Sequence, residues 1–296
     1  MELWITKSKQ PGGEAAGDNK QTPARPARAT KKKTAAEAPS DWVRRSLGFE
    51  PDALQQRVLD TPARHGILNC TRQWGKSTVT AAMAIHQAAC QRGSLTIVVN
   101  PTSRQSGEFV RKAAEFARRL EIKPKGDGDN EISLQLPNGS RIVGLPGTEA
   151  TVRGYSAVSL LLVDEASRVS DDLYMAIRPM LAVSGGKLWL MSTPFGKRGF
   201  FWDTWEHGAG DWERVRATAA ECPRIPADFL RDERRTMGER WYRQEYCCEF
   251  SDVSSGFFDG GLVERAISDE FGELELEDTL GPTRFGGYRG GRNGRR

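Results

Sequence analysis

Residues able to do phosphate chemistry are concentrated in Cys70-Thr71-Arg72-Gln73-Trp74-Gly75-Lys76-Ser77-Thr78. The short apolar run Gly66-Ile67-Leu68-Asn69 precedes this stretch, and a helix-forming run from Val79 to Gln91 follows it. Strand, Gly-Lys-Ser loop, then helix is the context a phosphate-binding loop requires. Such a loop wraps backbone N–H groups around phosphate oxygens, and the helix N-terminus adds its positive end. In that setting Lys76 reaches the β- and γ-phosphates and the Ser77 hydroxyl sits on Mg²⁺. Cys70 stands where the first glycine of the pattern is usual. A small residue fits that turn if its φ is ordinary.

A second chemical group follows the apolar run Leu160-Leu161-Leu162-Val163, which delivers Asp164 and Glu165 together. A buried strand of a parallel sheet presents such residues at the sheet edge, where ligands bind in open α/β folds. Asp164 is then the Mg²⁺-side acid, and Glu165 the general base that polarises an attacking water. The next apolar run, Lys187 to Ser192, ends in Ser192-Thr193-Pro194. Hydroxyls in that position can sense a γ-phosphate and pass its loss to a neighbouring loop.

These groups need a scaffold, and the pattern around them supplies one. Leu95 to Asn100 and Val158 to Val163 read as continuously apolar strands buried on both faces. Ala53 to Leu59 and Arg104 to Leu120 read as helices, the latter with Phe109, Val110, Ala113, Phe116 and Ala117 on one side. Asp171 to Leu181 is a further helix, interrupted near its end by Pro179. Glu131 to Leu136 and Ser140 to Leu145 alternate and meet through Asn138-Gly139, a strong hairpin signal. Trp212 to Ala217 is a candidate strand, and Pro226 to Met237 and Glu239 to Cys248 are helices. Strands alternating with helices predict an α/β fold: a mostly parallel sheet flanked by helices, carrying an inserted hairpin.

Composition sets the bounds. The chain has 296 residues, 38% hydrophobic and 28% charged, with a net charge of +4. That charge is mild, so an argument for nucleic acid must rest on where the cations lie. No apolar run approaches the ~20 residues of a membrane span, and Met1 to Gln10 has no signal-like apolar core. The five cysteines (Cys70, Cys90, Cys222, Cys247, Cys248) show no metal-ligand spacing and read as buried free thiols. The three histidines are scattered, and none is marked out as a ligand or base.

Taken together, several stretches resemble the large terminase subunit of tailed bacteriophages. They are Thr71 to Ser77, Leu162-Val163-Asp164-Glu165-Ala166, and Ser192-Thr193-Pro194-Phe195-Gly196-Lys197-Arg198-Gly199-Phe200-Phe201. Pro51-Asp52-Ala53-Leu54-Gln55 resembles the family's adenine-contact element, and Arg240 to Phe250 resembles the segment closing its ATPase region. The resemblance spans roughly Asp41 to Asp259. It implies a P-loop NTPase fold, RecA/ASCE-like, using ATP and Mg²⁺ to drive double-stranded DNA into a procapsid. It assigns nucleotide contacts to Gln55, Thr71, Arg72, Gln73, Gly75, Lys76, Ser77 and Thr78, and metal contacts to Ser77 and Asp164. Catalysis falls to Glu165 with Lys76. Arg72 is implied as a γ-phosphate sensor, and Arg153 as a residue acting on the neighbouring subunit's ATP. Ser192, Thr193 and Pro194 are implied to couple hydrolysis to movement. Portal, small terminase subunit and a homo-oligomeric ring are implied partners, no membrane is expected, and the host cytoplasm is the implied location.

The same resemblance exposes a shortfall. Full-length members continue into an RNase H-like nuclease, whereas only 37 residues follow Asp259 here. Those residues hold acids but no convincing strand set, so residues 259–296 are expected to be a linker and a Gly/Arg-rich tail without nuclease activity. Residues 1–40 are expected to be a disordered basic tail. DNA contacts would then fall on Arg104, Arg111, Lys112, Arg118 and Arg119 of one helix, and on Lys197 and Arg198. Two rivals remain. One is a superfamily-2-like helicase, for which the chain after Ser251 is too short. The other is a non-catalytic or prophage-remnant protein that binds DNA and partners without turnover.

Overall fold

The computed structural model describes residues 37–129, 132–147 and 154–252. Its frame is a seven-stranded sheet in the order β3-β4-β2-β5-β6-β1-β7. The strands are β1 (His65–Cys70), β2 (Leu95–Asn100), β3 (Ser133–Gln135), β4 (Arg141–Pro146), β5 (Leu160–Asp164), β6 (Lys187–Ser192) and β7 (Trp212–Ala217). All neighbours run parallel except β3 against β4. The expected α/β sheet is therefore present, and Trp212 to Ala217 is a full edge strand beside β1.

Continuous apolar runs formed the inner strands because both faces are covered. Leu68, Val98, Leu160, Leu162, Trp189 and Met191 face one core. Ile67, Ile97, Val99, Leu161, Val163, Leu188 and Leu190 face the other. The first core is roofed by α1 (Pro39–Leu47), α2 (Ala53–Asp60), α3 (Lys76–Cys90) and α4 (Ser103–Arg119). The second is roofed by α5 (Asp171–Ile177) and α6 (Gly199–His207). A long α7 (Ala227–Cys247) follows β7.

Local chemistry fixes the helix ends. Asp52 accepts the Gln55 N–H while the Gln55 side chain accepts the Asp52 N–H, a reciprocal cap that starts α2. Thr102 caps α4 by accepting the Gln105 N–H. Pro179 converts the end of the expected Asp171 to Leu181 helix into a separate 3₁₀ turn, Arg178–Leu181. Gly238, at φ 80° and ψ 162°, is non-helical and separates the run Ala227–Cys247 into the two helices expected on either side of it.

The hairpin differs from expectation in role. Its turn is at Gly139, with φ 83°, as the Asn-Gly pair predicts. Its second arm, β4, pairs in parallel with β2 from Leu95↔Arg141 to Asn100↔Pro146. The hairpin is thus an edge of the main sheet rather than an insertion, because β4 offers Ile142 to one core and Val143 to the other. The tail expected over residues 1–40 lies outside the described residues as far as residue 36, as does all of 259–296.

Candidate active site

Three loops converge because three adjacent strands carry them. β5, β6 and β1 lie side by side, and their carboxyl ends lead into Glu165, Thr193 and Thr71. In a parallel sheet all carboxyl ends open on one edge, where ligand sites form.

After β1 the chain curls tightly. Gln73 has φ 64° and Gly75 φ 97°, both left-handed, and α3 starts at Lys76. Backbone amides folded in this way form a concave anion-binding nest at a helix N-terminus. Cys70 is absent from the left-handed residues, so the position that replaces the usual glycine carries no such strain. The nest is anchored on both sides. The Thr71 N–H donates to the Ala217 carbonyl at 2.8 Å, and its hydroxyl donates to the Glu245 carbonyl at 2.9 Å. Gln55 Nε2 donates to the Trp74 carbonyl at 3.0 Å, and Arg224 donates to the same oxygen. Gln55, 1% exposed, therefore lies against the phosphate loop.

The acidic pair faces this loop. Ser77 Oγ donates to Asp164 Oδ2 at 3.3 Å, and Asn100 Nδ2 approaches the same oxygen at 3.3 Å. The Glu165 N–H donates to Asp164 Oδ1 at 2.9 Å. Burial raises the Asp164 pKa, opposed by Lys76 and reinforced by Glu165. A buried carboxylate is stable when paired or when it holds a cation. Mg²⁺ takes few protein ligands and completes its shell with water and phosphate oxygens. One hydroxyl and one carboxylate, Ser77 and Asp164, fit that requirement. Lys76 Nζ lies 3.3 Å from Glu165 Oε1. Glu165 itself has φ 50°, a left-handed conformation that costs a non-glycine residue about 1–2 kcal/mol.

The end of β6 is joined to the turn after Glu165. Ser167 Oγ shares a hydrogen bond with Ser192 Oγ at 2.7 Å and donates to the Thr193 carbonyl at 2.9 Å. Ser192, Thr193 and Pro194 are all buried, and Thr193 Oγ1 has no hydrogen-bond partner among the described residues.

Other expected residues are placed differently. Arg72 is tied to α7: its Nε lies 2.7 Å from Glu245 Oε2, and this hydrogen bond raises the Arg72 pKa. Thr78 turns toward α4 and accepts from Lys112 Nζ at 3.1 Å. Arg153 lies outside the described residues. The basic face expected on α4 is partly spent within the fold. Arg111 pairs with Glu108, Lys112 with Thr78, and Arg119 with the Leu47 and Gly48 carbonyls. Lys197 pairs with Asp252 at 2.9 Å.

Sequence reasoning missed Asn100, Ser167, Arg168, Arg224 and Glu245. Asn100 carried one usable signal, a polar residue ending an otherwise apolar strand. Glu245 lay within the Arg240 to Phe250 resemblance, but nothing there pointed to Arg72, 173 residues away.

Comparisons with known proteins identify a family and a fold. A family model described as "Terminase large subunit, T4likevirus-type, N-terminal" matches residues 67–265. The large terminase subunit of Thermus virus P23-45 is 24% identical over 257 residues, covering 75% of this chain and 53% of that protein. The large terminase subunit of Escherichia phage T5 is 22% identical over 223 residues, covering 72% of this chain and 50% of that one. The chain thus spans about half the length of these curated relatives. Among solved structures, the Thermus phage P74-26 large terminase ATPase domain aligns with a TM-score of 0.64 at 21% identity, covering 72% of this chain and 99% of that domain. A large terminase from a thermophilic bacteriophage, solved in complex with ADP, aligns at 0.56 and 13% identity, covering 67% and 53%. The family model covers more than half of the chain, and the chain belongs to the T4likevirus-type terminase large subunit family, in its N-terminal region.

Proposed function

We propose that residues 41–258 form an ATPase domain that drives double-stranded DNA into a phage procapsid. The observation that carries this reading is the meeting of Ser77 with Asp164, and of Lys76 with Glu165, at one sheet edge, each pair 3.3 Å apart. ATP would enter with its phosphates in the nest at Thr71 to Ser77 and its adenine beside Gln55. Ser77 and Asp164 would hold Mg²⁺, which neutralises charge on the phosphate oxygens. Lys76 would exchange Glu165 for the β- and γ-phosphates, releasing the Glu165 carboxylate to orient and deprotonate water. Arg72 would likewise leave Glu245 to meet the γ-phosphate. Arg153 would act on a neighbouring subunit's nucleotide in a ring, as trans-acting arginines do in other NTPases. Ser192, Thr193 and Pro194 would carry the change to the DNA side. Arg104 and Arg118, which make no ion pair among the described residues, are the α4 cations left for DNA phosphates.

Portal and small terminase subunit are the partners this reading implies, and the host cytoplasm is its setting. No helix among the described residues is long and apolar enough to cross a membrane.

The test is ATP hydrolysis by the purified chain with and without linear double-stranded DNA. Glu165→Gln is expected to lower kcat by about 10²-fold or more while nucleotide binding persists. A wild-type rate in that variant would show that Glu165 is not the base. Failure of the unmodified chain to bind ATP would favour a non-catalytic binding protein.

A further inference from the structure

The turn after Glu165 carries an arginine that no sequence motif marked. Arg168 Nε lies 4.0 Å from Glu165 Oε2, at the outer limit of an ion pair. Its guanidinium carbon sits 4.4 Å from the centre of the Phe195 ring, and that of Arg198 sits 5.2 Å from the same centre. Phe195 directly follows Ser192-Thr193-Pro194, so one aromatic ring carries both guanidiniums and joins the acidic turn to the end of β6. A guanidinium over a ring face is attracted by the ring's negative centre. The two Ser167 hydrogen bonds fasten the same two segments.

Glu165 is held by two cations, Lys76 at 3.3 Å and Arg168 at 4.0 Å. Lys76 is needed elsewhere once phosphates enter. Arg168 is then the cation within ion-pair distance of the carboxylate among the described residues. Glu165 also sits in a strained backbone conformation, which persists only where the surroundings hold the residue. Its aim must come from neighbours.

We propose that Arg168 is a positioning residue for the Glu165 carboxylate, and that Phe195 of the β6 turn fixes Arg168 in place. The aim of the base and the position of the coupling turn are then one mechanical unit. A movement of Phe195 draws Arg168 away from Glu165 and slows hydrolysis. This rests on the reading of Glu165 as the base.

The experiment is steady-state ATP hydrolysis by Arg168→Gln, Arg168→Lys, Phe195→Leu and Phe195→Tyr, each checked for folding by thermal melting. Loss of the positioning cation is expected to lower kcat about tenfold with KM for ATP unchanged, because small misplacements of a reacting group are costly while nucleotide contacts persist. Phe195→Leu is expected to reproduce that loss. Phe195→Tyr, which keeps the ring, is expected to retain the rate, and Arg168→Lys to recover part of it. Introduced into Glu165→Gln, the Arg168→Gln change is expected to cause no further loss, since Arg168 acts through the carboxylate. A wild-type kcat in Arg168→Gln overturns the proposal. So does an equal further loss in the Glu165→Gln background, which would mark a merely structural role. A wild-type rate in Glu165→Gln alone overturns the assignment of the base, and Arg168's role with it.

Discussion

Cys70 opens the phosphate loop with a thiol instead of a glycine, and its surroundings make that thiol inert. Burial pushes its pKa well up, reinforced by the nearby Cys248. The Cys248 thiol is itself pushed up to about 12, mainly by burial. Thiolates, not thiols, react with alkylating reagents. The sequence suggested buried thiols throughout, but Cys90 is exposed at the end of α3 and Cys247 is partly so. Native alkylation followed by peptide mapping is therefore expected to label Cys90 first and Cys247 more slowly. Cys70, Cys222 and Cys248 are expected to react only on unfolding. Rapid labelling of Cys70 would contradict the packing around the loop. The same contrast governs what could be read beforehand. Lys76, Ser77, Asp164 and Glu165 sit in motifs whose meaning is local, and they announced themselves. Asn100, Arg168 and Glu245 act through contacts that only the folded sheet creates, and residue type alone gave no hint of their partners.

At the level of elements, β1 is held between β6 and β7 by a match of small against large. Gly66 pairs with Trp189, and a Cβ added to Gly66 would fall 2.3 Å from the Trp189 ring. Trp189 is 1% exposed and belongs to the first core, so it has nowhere to go. Forcing extra volume into a filled core costs about 1–3 kcal/mol. Gly66→Ala is thus expected to lower the unfolding free energy by that amount, read by circular dichroism as a lower urea midpoint with an unchanged slope. A neutral result would mean that the strand pair opens more easily than the packing implies. Gly66 had been legible only as part of an apolar run, because its reason for being glycine lies on a strand more than a hundred residues later. Other elements were more legible. The Asn138-Gly139 turn, the Pro179 break and the Gly238 kink all follow from backbone rules that act within a few residues. The hairpin's place at the sheet edge did not, because parallel pairing with β2 depends on the whole strand order.

At the scale of the whole molecule, the strand order brings three motifs to one edge, while α1 and α2 close the far side of the phosphate-loop helix. That closure uses a titratable contact. His86 on α3 meets Trp42 on α1 edge to face, with ring centres 5.0 Å apart. Burial lowers the His86 pKa below its ordinary 6.5, and Lys187 lowers it further, against weaker opposing pulls from Glu37 and Asp60. The folded state therefore resists protonation that the unfolded chain accepts. Between 6.5 and the lowered folded value the unfolded chain binds more protons, so stability rises with pH across that window. The contribution is fully present above 6.5 and is lost as the pH falls through the folded value. His86→Gln removes the titration while keeping a side chain of similar size. The wild-type melting temperature is expected to fall more steeply than that of His86→Gln as the pH drops from 7 to 5. Parallel profiles would mean that the α1 contact yields to a protonated ring at no cost.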